Sequence, residues 1–281
     1  MKTRIITAVV AIAIFLPVLI LSHTVALPVA MALCAFVAVY EMISCIGLRK
    51  AYALNIPLYL AALGLPFLMR YAKDADFVRQ CLVAVMLVFT LYLFAVLTFS
   101  HGKYKLCDVS VCFFTVSYIL AGFLSILFLR DWVVGGEYVY LTVFIGAWVT
   151  DTFAYFCGML FGQGGKHKLI PDVSPKKTVE GSIGGTIFCM IAMLVFGLIV
   201  NRISGVLHAN LIVLVVGGFL AAIVAQVGDL CMSLIKRTYG IKDYGKLFPG
   251  HGGMLDRFDS VIAGSIVLAC LCSCFHFFEV I

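Results

Sequence analysis

Apolar residues come along the chain in nine long blocks, separated by short polar clusters. They run near 5–21, 26–46, 52–69, 78–99, 109–129, 138–161, 183–200, 209–231 and 260–280. Roughly 20 mainly apolar residues cross about 30 Å of hydrocarbon as a helix, so each block reads as a membrane span. Lys2 and Arg4 ahead of the first block resemble a signal-peptide opening. No clear small-residue cleavage site follows, so that block stays a span. The pattern predicts an all-α, polytopic transmembrane protein of about nine spans, with no soluble domain at either end and no internal repeat. Residues 1–137 are expected to form N-terminal transmembrane helices and 138–281 a C-terminal transmembrane region that holds the candidate catalytic residues described below, integrated into one membrane domain.

Composition strengthens this. The chain is 63% hydrophobic and 12% charged, with a mean hydropathy of +1.12, whereas soluble domains carry about 45–50% apolar and about 25% charged residues. So little polar surface cannot cover a water-soluble ball of 281 residues. The 11 cysteines lie scattered in apolar runs without zinc spacing, which argues against a disulfide scaffold. Cys270, Cys272 and Cys274 sit on an apolar helix, where cysteine behaves as a small hydrophobe.

Lysines and arginines distribute unevenly. Connections on one side hold Lys2, Arg4, Arg49, Lys50, Lys103, Lys105, Lys166, Lys168, Lys176, Lys177, Lys236, Arg237, Lys242, Lys246 and Arg257. The other side holds only Arg70, Lys73, Arg79, Arg130 and Arg202. Basic residues accumulate in cytoplasmic loops, so the N-terminus is expected inside and both charged, glycine-rich loops cytoplasmic. This bias also explains the net charge of +6 without a nucleic-acid partner.

Three carboxylates fall within spans: Glu41, Asp151 and Asp229. An intramembrane carboxylate costs several kcal/mol unless it meets water or a partner, which makes each a functional candidate. Glu41 has no polar companions at helical spacing, so a structural role or a position near the headgroups competes with function. Asp151 is joined by Thr150, Thr152 and Tyr155, and packing competes with a direct role. Asp229 belongs to a stripe of Gln226, Asp229, Ser233, Lys236 and Arg237 that falls within an arc of about 100° at helical pitch. Snorkelling at a helix end accounts for Lys236 and Arg237 but not for the deeper Gln226 and Asp229.

The loop after the sixth span contains Ser174-Pro-Lys176-Lys177-Thr178-Val-Glu-Gly181-Ser-Ile-Gly184-Gly185. Serine followed by proline reads as a helix start, with Ser174 as the cap and Pro175 in the first turn. Lysines, free amides and the three glycines suit a phosphate there, although glycine helix packing is an alternative. The loop after the eighth span adds Lys236, Arg237, Lys242, Lys246 and Arg257 to Asp243, Asp256 and Asp259. Those acids repel one another without a counter-ion. Hard oxygens beside a phosphate cradle point to Mg2+ or a similar cation. His251, between Gly250 and Gly252-Gly253, either donates to phosphate or stabilises a tight turn.

Ser233-Leu-Ile-Lys236-Arg237, Lys242-Asp243 and Pro249-Gly-His251-Gly252-Gly253-Met-Leu-Asp256-Arg257-Phe-Asp259 together resemble the signature of the phosphatidate cytidylyltransferases, or CDP-diacylglycerol synthases. The Ser174–Gly185 segment and Asp151-Thr-Phe-Ala-Tyr155 are similar to that family too. Gln163-Gly164-Gly165 look like extra residues in the loop after the sixth span.

The resemblance implies joining CTP to phosphatidic acid, giving CDP-diacylglycerol and pyrophosphate. It implies catalytic roles for Asp229, Lys236, Arg237, Asp256 and Arg257, and a divalent cation on Asp229 and Asp256 with Asp259 nearby; a second cation is an option. Ser174, Lys176, Lys177, Thr178, Ser233, Lys242, His251, Gly252 and Gly253 are then the substrate-binding candidates. Membrane lipids are expected partners, a homodimer is compatible, and the setting expected is a bacterial inner membrane with the site facing the cytoplasm. Two rivals are a CTP-dependent kinase of a lipid alcohol such as dolichol or phytol, and a secondary transporter. Transporters place their polar residues near the midplane of repeated, broken helices, whereas here they gather on one side.

Overall fold

The computed structural model of the chain describes residues 2–162 and 167–281. The extra residues Gln163-Gly164-Gly165, and Lys166 of the basic loop, lie outside the described residues. The chain divides into two compact units, one of Met1–Leu127 with Asp243–Asp256, the other of Phe128–Lys242 with Arg257–Ile281.

The first unit contains α1 (Lys2–Ile20), α2 (Ala26–Cys45), α3 (Tyr52–Tyr71), α4 (Ala75–Phe99) and most of α5 (Leu106–Asp131). Leu27, Met31 and Met42 of α2 are completely buried, and Leu54 of α3 is buried in a cluster with Leu93, Tyr104 and Val109. Asn55 closes the connection between these helices by donating from Nδ2 to the carbonyls of Leu48 at 2.8 Å and Arg49 at 3.1 Å. Asp74 caps α4 by accepting from the Phe77 N–H at 2.6 Å. Such a cap satisfies one of the amides that the first turn leaves without an intrahelical partner.

The second unit contains α6 (Gly136–Phe161), β1 (Lys168–Ile170), β2 (Ser174–Thr178), α7 (Val179–Ile203), β3 (Leu207–Ala209), α8 (Leu211–Thr238), α9 (Leu255–Cys274) and β4 (Phe278–Val280). The first two residues of α9 cluster with the first unit. The fold is helical as expected, with two short antiparallel ribbons, β1–β2 and β3–β4, added. Among the described residues, eight helices are long and apolar enough to cross a membrane, and α1 contributes a shorter apolar stretch, Val9–Ile20.

Two expectations of local structure change. Ser174 does not start a helix: Ser174–Thr178 is strand β2, with Lys168 opposite Thr178. A residue before proline is pushed toward extended backbone, and the cap is supplied four residues later. Thr178 Oγ1 accepts from the Gly181 N–H at 3.1 Å, and α7 begins at Val179. The ninth apolar block also ends early, because α9 stops at Cys274 and the chain turns into β4. There Phe277 and Phe278 are buried, and the Phe277 carbonyl accepts from Asn210 N–H at 2.9 Å.

The glycines of α7 sit where another helix comes close. A Cβ on Gly181 would stand 2.5 Å from the Ala154 carbonyl oxygen, and one on Gly185 would stand 2.6 Å from that of Thr150. One on Gly184 would overlap Cys157. Small residues let two membrane helices approach backbone to backbone, so Gly181, Gly184 and Gly185 are the seam along which α7 packs on α6. Phe153 and Phe188 stack beside it, with ring centroids 3.9 Å apart. The seam places Asp151 of α6 close to the start of α7 and fixes the backdrop of the polar cluster.

Candidate active site

The polar stripe read on α8 exists as a chain of contacts. Gln226 is buried and donates from Nε2 to Thr186 Oγ1 at 3.2 Å, tying α8 to α7. One turn on, Asp229 Oδ1 accepts from Ser233 Oγ at 3.3 Å. Its other oxygen lies 2.5 Å from Lys177 Nζ, which reaches it from β2. Lys236 follows, also buried, whereas Arg237 is exposed. Asp229 stands nine residues before the end of α8, about 13 Å at 1.5 Å per residue. It is therefore a deep carboxylate with a cation delivered to it.

Asp151 and Asp259 join this cluster inside the second unit. Ser260 Oγ donates to Asp151 Oδ2 at 2.8 Å, and the Ser260 N–H donates to Asp259 Oδ1 at 2.9 Å. Asp259 lies within electrostatic range of Asp229, Asp151 and Lys236, and Asp151 within range of Asp229, Lys177 and Arg257. Three carboxylates and three cations of this unit thus act on one another electrostatically. Like charges at such separations repel unless cations lie between them. Lysine and arginine side chains in such a cluster are the donors that phosphate oxygens take. Ser260 is a participant that the sequence did not single out, since nothing beyond its place after Asp259 marks it.

The first unit holds the rest of the signature. Asp256 is buried, and its Oδ2 accepts from the N–H groups of Tyr244 at 2.8 Å and Gly253 at 2.9 Å. One carboxylate oxygen thereby closes the loop from residue 244 to residue 253. Gly250 and Gly252 adopt φ of +80° and +87°, a region that L side chains rarely enter. Between them, His251 donates its backbone N–H to the Phe248 carbonyl at 2.8 Å. Its Nδ1 is shielded from solvent without a hydrogen-bond partner. The tight turn is therefore real, and the imidazole is not what closes it. Lys242 is exposed.

Glu41 serves this loop. Its Oε1 accepts from the Met254 N–H at 3.0 Å and its Oε2 from the Leu255 N–H at 2.8 Å. Of the two readings left open by the sequence, a structural role is the one seen.

The substrate-binding candidates of β2 separate. Lys177 is half-buried and reaches Asp229, Thr178 is buried as the helix cap, Lys176 is exposed and Ser174 half-buried. Hard carboxylate oxygens of Asp151, Asp229 and Asp259 are the donor type that a divalent cation takes. Among the described residues, however, no three His, Cys, Asp or Glu side chains are grouped as a metal site requires. Asp229 is paired with the Lys177 ammonium.

A family model described as the cytidylyltransferase family matches residues 2–275. The chain belongs to the cytidylyltransferase family. Similar members include the phosphatidate cytidylyltransferase of Staphylococcus haemolyticus, 34% identical over 260 residues that cover 92% of this chain and 94% of that protein. The phosphatidate cytidylyltransferase of Staphylococcus saprophyticus matches at the same identity and coverage, and that of Staphylococcus aureus at 32% identity. Membership of the cytidylyltransferase family spans both units and agrees with the resemblance carried by the signature residues. The cytidylyltransferase relatives are bacterial proteins, and this member carries the apolar helices of an integral membrane protein.

Proposed function

We propose that this protein transfers the cytidylyl group of CTP to phosphatidic acid. An oxygen of the lipid phosphate attacks the α-phosphorus of CTP, the bond to the bridging oxygen breaks, and pyrophosphate leaves with the electron pair. The observation that carries this reading is the cluster of Asp151, Lys177, Asp229, Lys236, Arg257 and Asp259, found in a chain whose relatives are named for this reaction.

The nucleophile needs no strong base, because the second pKa of a phosphate monoester is about 6. What the reaction asks of the protein is alignment and neutralisation of charge on the transferring group and the departing pyrophosphate. Lys177, Lys236 and Arg257 supply positive charge at the cluster, and Arg237 and Lys176, both exposed, meet phosphates arriving from water. Asp229 and Asp259 would hold a divalent cation such as Mg2+, which when bound neutralises phosphate oxygens. Lys177 pairs with the Asp229 carboxylate and holds it in place. Ser233 and Ser260 orient the carboxylates of Asp229 and Asp151.

The uneven spread of lysine and arginine supports an N-terminus inside and this cluster on the cytoplasmic face of a bacterial inner membrane. CTP then enters from water while the lipid stays in the bilayer.

Purified protein with labelled CTP, phosphatidic acid and Mg2+ is expected to form labelled CDP-lipid and one pyrophosphate per turnover. Release of CDP with phosphorylation of a lipid alcohol would replace this reading with that of a CTP-dependent kinase. Omitting divalent cations under chelation is expected to abolish turnover, and full activity in chelator would remove the cation from the proposal.

A further inference from the structure

We propose that Glu41 is a positioning residue for cytidylyl transfer, the carboxylate that sets the Tyr244–Asp256 turn from the far end of the sequence. This rests on the activity proposed above and adds to it a residue outside the signature.

Glu41 lies on α2, within an apolar span, and is only 5% exposed. Burying a carboxylate in such a helix costs several kcal/mol unless it is partnered. Here both oxygens accept backbone hydrogen bonds, from Met254 and Leu255 at the start of α9. The first amides of a helix lack intrahelical partners, and a local Ser, Thr, Asp or Asn ordinarily takes them. The residue just before α9 is Met254, whose side chain is a poor acceptor. A carboxylate 213 positions away does the work of the missing cap.

Sterics make the arrangement specific. A Cβ on Gly245 or on Gly253 would overlap the Glu41 carboxylate. Neither glycine has positive φ, so the space taken by Glu41, rather than backbone strain, accounts for their lack of a side chain. On the other side of the turn, Asp256 accepts from Tyr244 and Gly253. Two carboxylates therefore grip one turn, Glu41 at residues 254–255 and Asp256 at 244 and 253. Between these grips lie His251 and Gly252, and directly after them comes Arg257. A second carboxylate near Asp256 adds repulsion, which the cluster of amides and the α9 N-terminus oppose.

The experiment uses the full chain in detergent or lipid nanodiscs. Glu41→Ala is expected to speed hydrogen exchange at Met254 and Leu255 at least tenfold, leaving α6 to α8 at wild-type protection. It is also expected to raise the KM for CTP or for phosphatidic acid about tenfold, equivalent to about 1.4 kcal/mol. Loss of folded enzyme lowers the maximal rate but leaves KM untouched, so the KM change separates positioning from misfolding. Glu41→Gln keeps one acceptor, should retain the fold, and is expected to fall between wild type and Glu41→Ala in exchange and KM. Gly245→Ala alone is expected to impair turnover, and to impair it less when Glu41 is already alanine. Wild-type KM values for both substrates in Glu41→Ala and Glu41→Gln, or faster exchange spread over the whole chain, would overturn the proposal. Failure of the wild-type protein to label phosphatidic acid would instead remove the activity; unchanged exchange at residues 254–255 would remove Glu41 independently of it.

Discussion

Replacing Lys177 with methionine removes the ammonium beside Asp229 and keeps most of the side-chain length. The two charges lie 2.5 Å apart, with side chains 26% and 24% exposed. At that separation the attraction is about 1.7 kcal/mol at a dielectric of 80 and about 7 kcal/mol at 20. Desolvation opposes most of the larger figure, and one-sided loss of a well-buried pair costs about 3–5 kcal/mol. For a pair a quarter exposed, about 2–3 kcal/mol is expected after discounting for screening. Asp151 and Asp259 lie close enough to Asp229 to add repulsion once the lysine is gone. Lys177→Met should therefore lower the thermal midpoint by about 4–12 °C, at about 2–4 °C per kcal/mol for a large domain. Lys177→Met with Asp229→Asn should recover much of that loss, because no unpaired charge remains. Thermal denaturation followed by tryptophan fluorescence over the four proteins gives the coupling directly. Additive effects of the two substitutions, with coupling below about 0.5 kcal/mol, would refute the reasoning.

Other substitutions test separate parts. Gly185→Val places its Cβ against the Thr150 carbonyl and should cost about 1–3 kcal/mol through overpacking; an unchanged melting midpoint would show that α7 does not need the seam. Thr178→Ala removes the acceptor for Gly181 N–H and should cost about 1 kcal/mol, seen as faster amide exchange in the first turn of α7 and not in α8. Ser260→Ala removes the hydrogen bond to Asp151 and should reduce turnover by about fivefold, equivalent to about 1 kcal/mol; wild-type turnover would make Asp151 a bystander.

The helices were legible because a membrane span needs a certain apolar length, and that length is written directly in the chain. Boundaries slipped where polar residues belong to a helix, as in α8, which runs seven residues past its apolar block to Thr238. The Gln226–Arg237 stripe was legible because helical spacing is fixed by the helix itself. The Ser174–Thr178 strand was not, since Ser-Pro suits both a helix start and an extended pair, and the choice fell to Thr178. The glycines of α7 left two readings open for a related reason: spacing says that they share a face, but not that the face belongs to α6. Glu41 was opaque because its partners are more than 200 residues away. No local pattern encodes a contact of that kind.

The strand that replaced the expected helix has a consequence for its two lysines. On a helix, neighbouring side chains diverge by about 100° and two lysines can close on one phosphate. On a strand they point to opposite faces, and here Lys176 is exposed while Lys177 reaches Asp229. The pair is thus a division of labour rather than a doubled charge. Deleting Lys176 alone would not merely subtract one lysine. Lys177 is held by Asp229 and by the Thr178 cap that follows it, so a one-position slip would fall on Ser174 and Pro175, costing the surface its charge and leaving the interior cation where it is.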